Sequence, residues 1–151
     1  MSLNTQRFSI TPVMSATPDY SAGDCIGTKM LIKDDFFAVK KTQELVSAFA
    51  RDSANVGPDF TVYLFNVEPT GTVTDNAAFA PSAGDIAGLV CQFSFVNANY
   101  KSLGTAIKSA FLPDPLRKIG TGIDTLWAVV VADGAYNGAT TSNLTVDFFA
   151  G

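Results

Sequence analysis

Residues 60–82 read FTVYLFNVEPTGTVTDNAAFAPS. The first six, Phe60 to Phe65, are β-branched or aromatic at nearly every place, a composition that fits a pleated, half-buried surface, and they predict a central strand. From Asn66 to Ser82 the character changes, because Pro69, Gly71, Asp75, Asn76 and Pro81 keep the backbone turning and out of any helix or ladder. That segment reads as a long, shaped, surface-facing connection whose polar residues serve its path rather than a reaction. The same alternation of apolar strand and turn-rich connection recurs along the chain, with no convincing long helix.

Thr125 to Ala132, TLWAVVVA, is nearly continuous in apolar residues and predicts a strand buried on both faces or at a sheet centre. Leu89 to Val96, LVCQFSFV, sets Leu89, Cys91, Phe93 and Phe95 on one face against Val90, Gln92, Ser94 and Val96 on the other. Near the start, Phe8 and Ile10 alternate with Ser9 and Thr11 in a strand of about Arg7 to Met14, which Pro12 confines to an edge or a bulge. Residues 1–7 are polar and without period, and read as an arm that reaches a partner.

Cys25 to Ile32 predicts the second strand, with Gly27 marking a bulge or a close approach. Gln43 to Arg51 is read as a strand, although Gln, Glu, Leu and Ala also suit a short helix, because its flanks are strands. Ser82 or Asp85 caps a single helical turn over Asp85 to Leu89. Ala106 to Phe111 follows as a strand, and Pro113, Pro115 and Gly120 are expected to prevent regular structure through a loop containing Arg117 and Lys118. Leu144 to Phe149 closes the chain with Leu144, Val146 and Phe148 on one side. Eight strands without βα alternation predict one domain over residues 1–151: all-β, an antiparallel eight-stranded β-sandwich, jelly-roll-like.

Only 16% of the 151 residues are charged, against ~25% in an ordinary soluble domain. Such a surface is either covered by copies or lattice neighbours, or is a plain Ser/Thr/Asn/Gly surface. The net charge is −4 and no basic run exceeds Lys40-Lys41, so the clustered footprint of a dedicated nucleic-acid binder is missing. No run approaches the ~18 apolar residues of a membrane helix. Met1 to Arg7 lacks the apolar segment of an export signal, so synthesis in a reducing compartment is expected. Cys25 and Cys91 read as small buried hydrophobes, with a disulfide between them left open.

The chain contains no histidine, which removes serine and cysteine triads and most zinc sites as readings. Nucleotide-loop and hydrolase-elbow motifs are also absent. The carboxylates Asp59, Glu68, Asp75, Asp85, Asp114, Asp124, Asp133 and Asp147 are mostly flanked by turn residues, where capping explains them. Asp34-Asp35 is the adjacent pair within KDDFFAVKK, read as a solvated loop with a metal as the alternative. Phe36-Phe37 beside it must fold back on the core or face a partner. Trp127 belongs to the core, and Tyr20, Tyr100 and Tyr136 are the rings expected to be exposed, where they could stack on sugars. No catalytic, cofactor-binding or metal residue is predicted, and no cofactor.

Tyr20-Ser-Ala-Gly-Asp24, then Val62-Tyr-Leu-Phe65 with Pro69, Thr74-Asp-Asn-Ala-Ala-Phe79, Ser82 and Asp85, and finally Leu126-Trp-Ala-Val-Val-Val-Ala132 with Thr141-Ser-Asn-Leu-Thr145, resemble small head-associated structural proteins of tailed bacteriophages. The resemblance spans about Phe8 to Phe149. It implies a capsid decoration or cement protein, jelly-roll-like and commonly trimeric, made in the host cytoplasm and bound to the major capsid protein on the virion exterior. It carries no catalytic residue, and the composition gives no expectation of an enzyme, a nucleic-acid partner or a membrane. The expected contacts lie in Met1 to Ile10, in the Phe36-Phe37 loop and in Ala110 to Gly122, with Arg7, Phe8, Phe36, Phe37, Leu112, Arg117 and Lys118 as the candidates. The alternative is a receptor- or carbohydrate-binding module of a virion fibre or tail.

Overall fold

In sequence order the strands are β1 (Gln6–Ile10), β2 (Asp19–Tyr20), β3 (Met30–Lys33), β4 (Gln43–Asp52), β5 (Phe60–Phe65), β6 (Leu89–Phe95), β7 (Lys101–Leu103), β8 (Ile107–Gly120), β9 (Thr125–Ala132), β10 (Tyr136–Asn137) and β11 (Leu144–Ala150). One five-residue helix, α1 (Ala83–Ala87), precedes β6. The structure, a computed structural model, describes residues 6–15, 19–33, 43–103, 107–120, 125–138 and 144–150.

Two antiparallel sheets form, sheet one in the order β1-β11-β4-β8-β7 and sheet two in the order β3-β9-β5-β6, with β2 and β10 paired separately. Among the eight strands of four or more residues, the first pairs with the last, the second with the seventh, the third with the sixth and the fourth with the fifth. That is the wrapped-hairpin order of a jelly roll. Apart from β5 to β6, each step along those eight strands passes from one sheet to the other, so neither sheet exists without its partner.

The period-two pattern decides what lies between the sheets. Phe8 and Ile10 on β1, Ala48 and Ala50 on β4, and Leu144, Val146 and Phe148 on β11 point inward from sheet one. Val62, Leu64, Cys91, Phe93, Phe95, Ala128 and Val130 meet them from sheet two. Phe148 links the layers, stacking on Phe8 at 5.3 Å and tilting against Phe93 at 6.2 Å. The small Ala48 and Ala50 leave room for these rings.

The centre of sheet two, β5 and β9, is buried on its outer face as well, while Leu31, Gln92 and Ser94 on the flanking strands stay exposed, and the cause is the connection after β5. Residues 66–88 fold back over the sheet and set Val73 against Phe65, Val129, Val131 and Cys25, with Phe79 on Tyr63 at 5.2 Å. The surface-facing connection is thus also a cover. Its base is held by Asp85, whose buried carboxylate accepts the backbone N–H groups of Thr70, Gly71 and Ser82, each at 2.8 Å. In return the Asp85 N–H donates to the Ser82 hydroxyl oxygen, completing the capping box that starts α1. These donors hold the Asp85 carboxyl well below the usual carboxylate range. Gly71 is required here, since a Cβ would sit 2.3 Å from the Ala80 carbonyl oxygen.

Four boundaries differ from the sequence expectation, the first being α1, which runs Ala83–Ala87 rather than Asp85 to Leu89 because Ser82 is its cap and Asp85 its third residue. β1 stops at Ile10, because Pro12 lacks a donor and packs against Gly27, whose φ of +76° and Cβ position 2.9 Å from Pro12 Cβ exclude a side chain. For the same reason the second strand begins at Met30, while Cys25 makes isolated bridges to Asp75 and Val131. β8 runs through Pro113 and Pro115, the opposite of the predicted break. β7 pairs with β8 only at 107–109, so farther along β8 is an edge strand, and its register to β4 shifts where Ser47 faces Pro113 and Leu45 faces Arg117. Edges and bulges are where a sheet tolerates proline. The Asp34-Asp35 pair lies outside the described residues. No disulfide forms: Cys25 and Cys91 are buried in different clusters.

Candidate functional site: the outer face of sheet one

The alternation that turns Ala48, Ala50, Val146 and Phe148 inward turns Phe49, Arg51, Asp147 and Phe149 outward. Across the sheet one row reads Arg7, Phe149, Ser47; the next reads Ser9, Asp147, Phe49; in the third, Thr145 faces Arg51. Both arginines are therefore diagonal neighbours of Asp147 on the flanking strands, within reach of long side chains. Arg51 Nη2 donates to Asp147 Oδ2 at 2.9 Å, Arg7 Nε stands 3.8 Å from Oδ1, and the Ser9 hydroxyl donates to Oδ1. Asp147 is 5% exposed, so its charge is balanced from both sides, whereas the arginine side chains remain 59% and 44% exposed. Phe49 and Phe149 are half-buried beside them.

Half-exposed aromatic rings interleaved with partly paired arginines are the composition that protein interfaces favour. On sheet two, residues 66–88 lie over the outer face of β5 and β9. A groove between the edge strands β1 and β3 borders the face, lined in part by Arg7, Ile10, Met30 and Ile32.

Of the residues named from the sequence, Arg7 lies on this face. Phe8 does not: its ring is 6% exposed and stacked on Phe148. Leu112, Arg117 and Lys118 occupy β8 opposite Ala48, Leu45 and Glu44, and their side chains lie outside the described part. Phe36 and Phe37 also lie outside the described residues. The sequence reading missed Phe49, Arg51, Asp147 and Phe149. The signal for them was the complement of the inward set: once Leu144, Val146 and Phe148 face the core, Asp147 and Phe149 must face out.

The tyrosines correct a second expectation. Tyr20 and Tyr136 are 1% and 0% exposed and stack on each other at 6.2 Å. Tyr136 donates to Asp52 at 2.8 Å, and Tyr20 donates to Asp75 at 2.7 Å. Asp52 is itself buried and also accepts the N–H groups of Ala54, Val56 and Gly57. Tyr100, half-buried, donates to the Pro58 carbonyl at 2.9 Å. Burial first, then carboxylate neighbours, pushes these phenols up, Tyr20 to about 12 and Tyr100 and Tyr136 further. These turn rings tie the connections to the sheets. Trp127 is half-buried against the second cluster, with Lys29 Nζ 5.7 Å from its ring centre.

No family model matches the chain, and no curated protein is similar to it. Solved structures are. Desmodium yellow mottle tymovirus is 15% identical, with 97% of this chain and 83% of that chain covered and a TM-score of 0.36. Tomato aspermy virus is 11% identical over 97% and 76%, with a TM-score of 0.44. The coat protein of tobacco streak virus is 12% identical over 99% and 86%, with a TM-score of 0.30. The assignment of a jelly roll rests on the strand order above, independently of these overlays.

Proposed function

We propose that this chain is a virion structural protein, a decoration or cement protein that binds the outer capsid lattice and stabilises the head. The observation that supports the reading is the asymmetry between the two sheets. The chain covers the centre of sheet two with its own residues 66–88, and leaves on sheet one a face of Phe49, Phe149, Arg7 and Arg51. A cement protein needs a rigid body and a broad lateral contact, and a sandwich of this kind supplies both. The proposed contacts add the arm before β1 and the β8 segment bearing Leu112, Arg117 and Lys118. Phe8 is left out of that surface, since exposing its ring would open the core.

Co-sedimentation with capsids tests the reading. Removing residues 1–5 leaves β1 whole, so the circular dichroism and melting of the shortened chain should match the full chain while capsid occupancy falls several-fold. Occupancy equal to that of the full chain removes the arm from the proposal, and no binding by the full chain removes the function.

A further inference from the structure

Among the described residues, the outer face of sheet one is unbalanced in charge. Arg7 and Arg51 flank the carboxylate of Asp147, and Lys101 adds a third cation in register with Arg51 across Ser109 of β8. The opposite imbalance occurs at the end of sheet two, where β9 leaves the sheet. The Asp133 N–H donates to the Asp59 carbonyl at 2.9 Å, Ala132 exchanges backbone bonds with Gly23 and Asp24, and β2 with Asp19 lies beside β10 just beyond. Four carboxylates, Asp19, Asp24, Asp59 and Asp133, thereby share one end of the sandwich, Asp19 and Asp133 exposed and the other two half-buried. Among the described residues no lysine or arginine stands within ion-pair distance of any of them. Burial and the nearby Asp133 carboxylate push the Tyr63 phenol up.

We infer that the open face of sheet one docks the acidic end of a second copy of this chain. The two surfaces are complementary in sign. A contact between two different surfaces is heterologous, so it closes a ring if the rotation permits and otherwise propagates. The half-exposed Phe49 and Phe149 supply the apolar centre of the contact and the arginines its register. This inference rests on the structural role proposed above but is read without any capsid present.

Sedimentation velocity of the isolated chain is the test. Association is expected at low ionic strength and should weaken steeply with salt, as the screening length falls from about 10 Å at 0.1 M to about 3 Å at 1 M. Two variants separate the partners of the contact: Arg7→Glu with Lys101→Glu, which leaves the Arg51–Asp147 bond intact, and Asp19→Lys with Asp133→Lys. Each alone should sediment as a monomer with an unchanged circular dichroism spectrum, and an equimolar mixture should recover association. Should either variant misfold, zero-length carbodiimide coupling of wild-type chains, half of them isotope-labelled, gives a second readout, with Lys101 of one copy joined to Asp19 or Asp133 of another. A wild-type monomer at all salt concentrations, or an oligomer indifferent to both variants, overturns the inference. Capsid binding by a monomer would leave the proposed function standing without it, and an oligomer that ignores capsids would do the reverse.

Discussion

Asp85 is the residue on which the cover of sheet two depends, and its chemistry sets a pH dependence. Its folded-state carboxyl is held low by three backbone donors and the Ser82 hydroxyl, while in the unfolded chain it returns to about 3.9. The stability it contributes is therefore complete above about pH 4 and is lost as the pH falls toward the folded value. Asp85→Asn should melt lower than wild type at pH 7, and the gap should narrow as the pH drops below about 4. A gap that stays constant across that range removes the carboxylate charge as the cause. The tyrosines make the matching statement at high pH. All four, Tyr20, Tyr63, Tyr100 and Tyr136, are pushed above the ordinary phenol value, so their stability is present below pH ~10 and lost as the pH rises through the folded values. Phenolate absorbance should show no tyrosine titrating near pH 10 in the folded chain. Ionisation should coincide with alkaline unfolding.

At the scale of elements, one contact that joins the two sheets is β11 against β6, through Phe148 and Phe93. Phe148→Ala removes a fully buried ring that also stacks on Phe8, and the neighbours on β1 and β11 are held by their ladder and cannot collapse into the gap. A loss of about 3–5 kcal/mol in denaturant unfolding is expected. A loss below about 1 kcal/mol would mean that the sheets are held elsewhere. The strands themselves were legible: Phe60–Phe65 and Gln43–Asp52 follow composition and period, and the helical turn follows from Ser82 and Asp85 three residues apart. β8 was not, because its two prolines forbid a central strand but not the edge and bulge positions that pairing with β4 assigned them.

For the whole molecule, the decisive feature is that the chain's own connection covers the centre of sheet two, whereas among the described residues nothing comparable lies over sheet one. From this follow the two association experiments, capsid co-sedimentation for the structural role and charge-reversed mixing for the contact between copies. The candidate face was only partly readable in advance. Arg7 was named from the sequence, but its companions Arg51, Asp147, Phe49 and Phe149 come from strands distant in sequence, and nothing local to any one of them indicates which strands lie side by side.

The all-β class, the approximate places of the eight main strands and the apolar faces of β6 and β11 were already set by the sequence, because a two-residue period and turn chemistry act over a few neighbours. Only the tertiary structure decided which strand lies beside which, that residues 66–88 fold inward over Val129 and Val131, and that Tyr20 and Tyr136 are buried. Each of those outcomes depends on contacts between segments far apart in the chain. Their free energy is set by the apolar surface the two segments remove from water together, a quantity neither segment encodes alone.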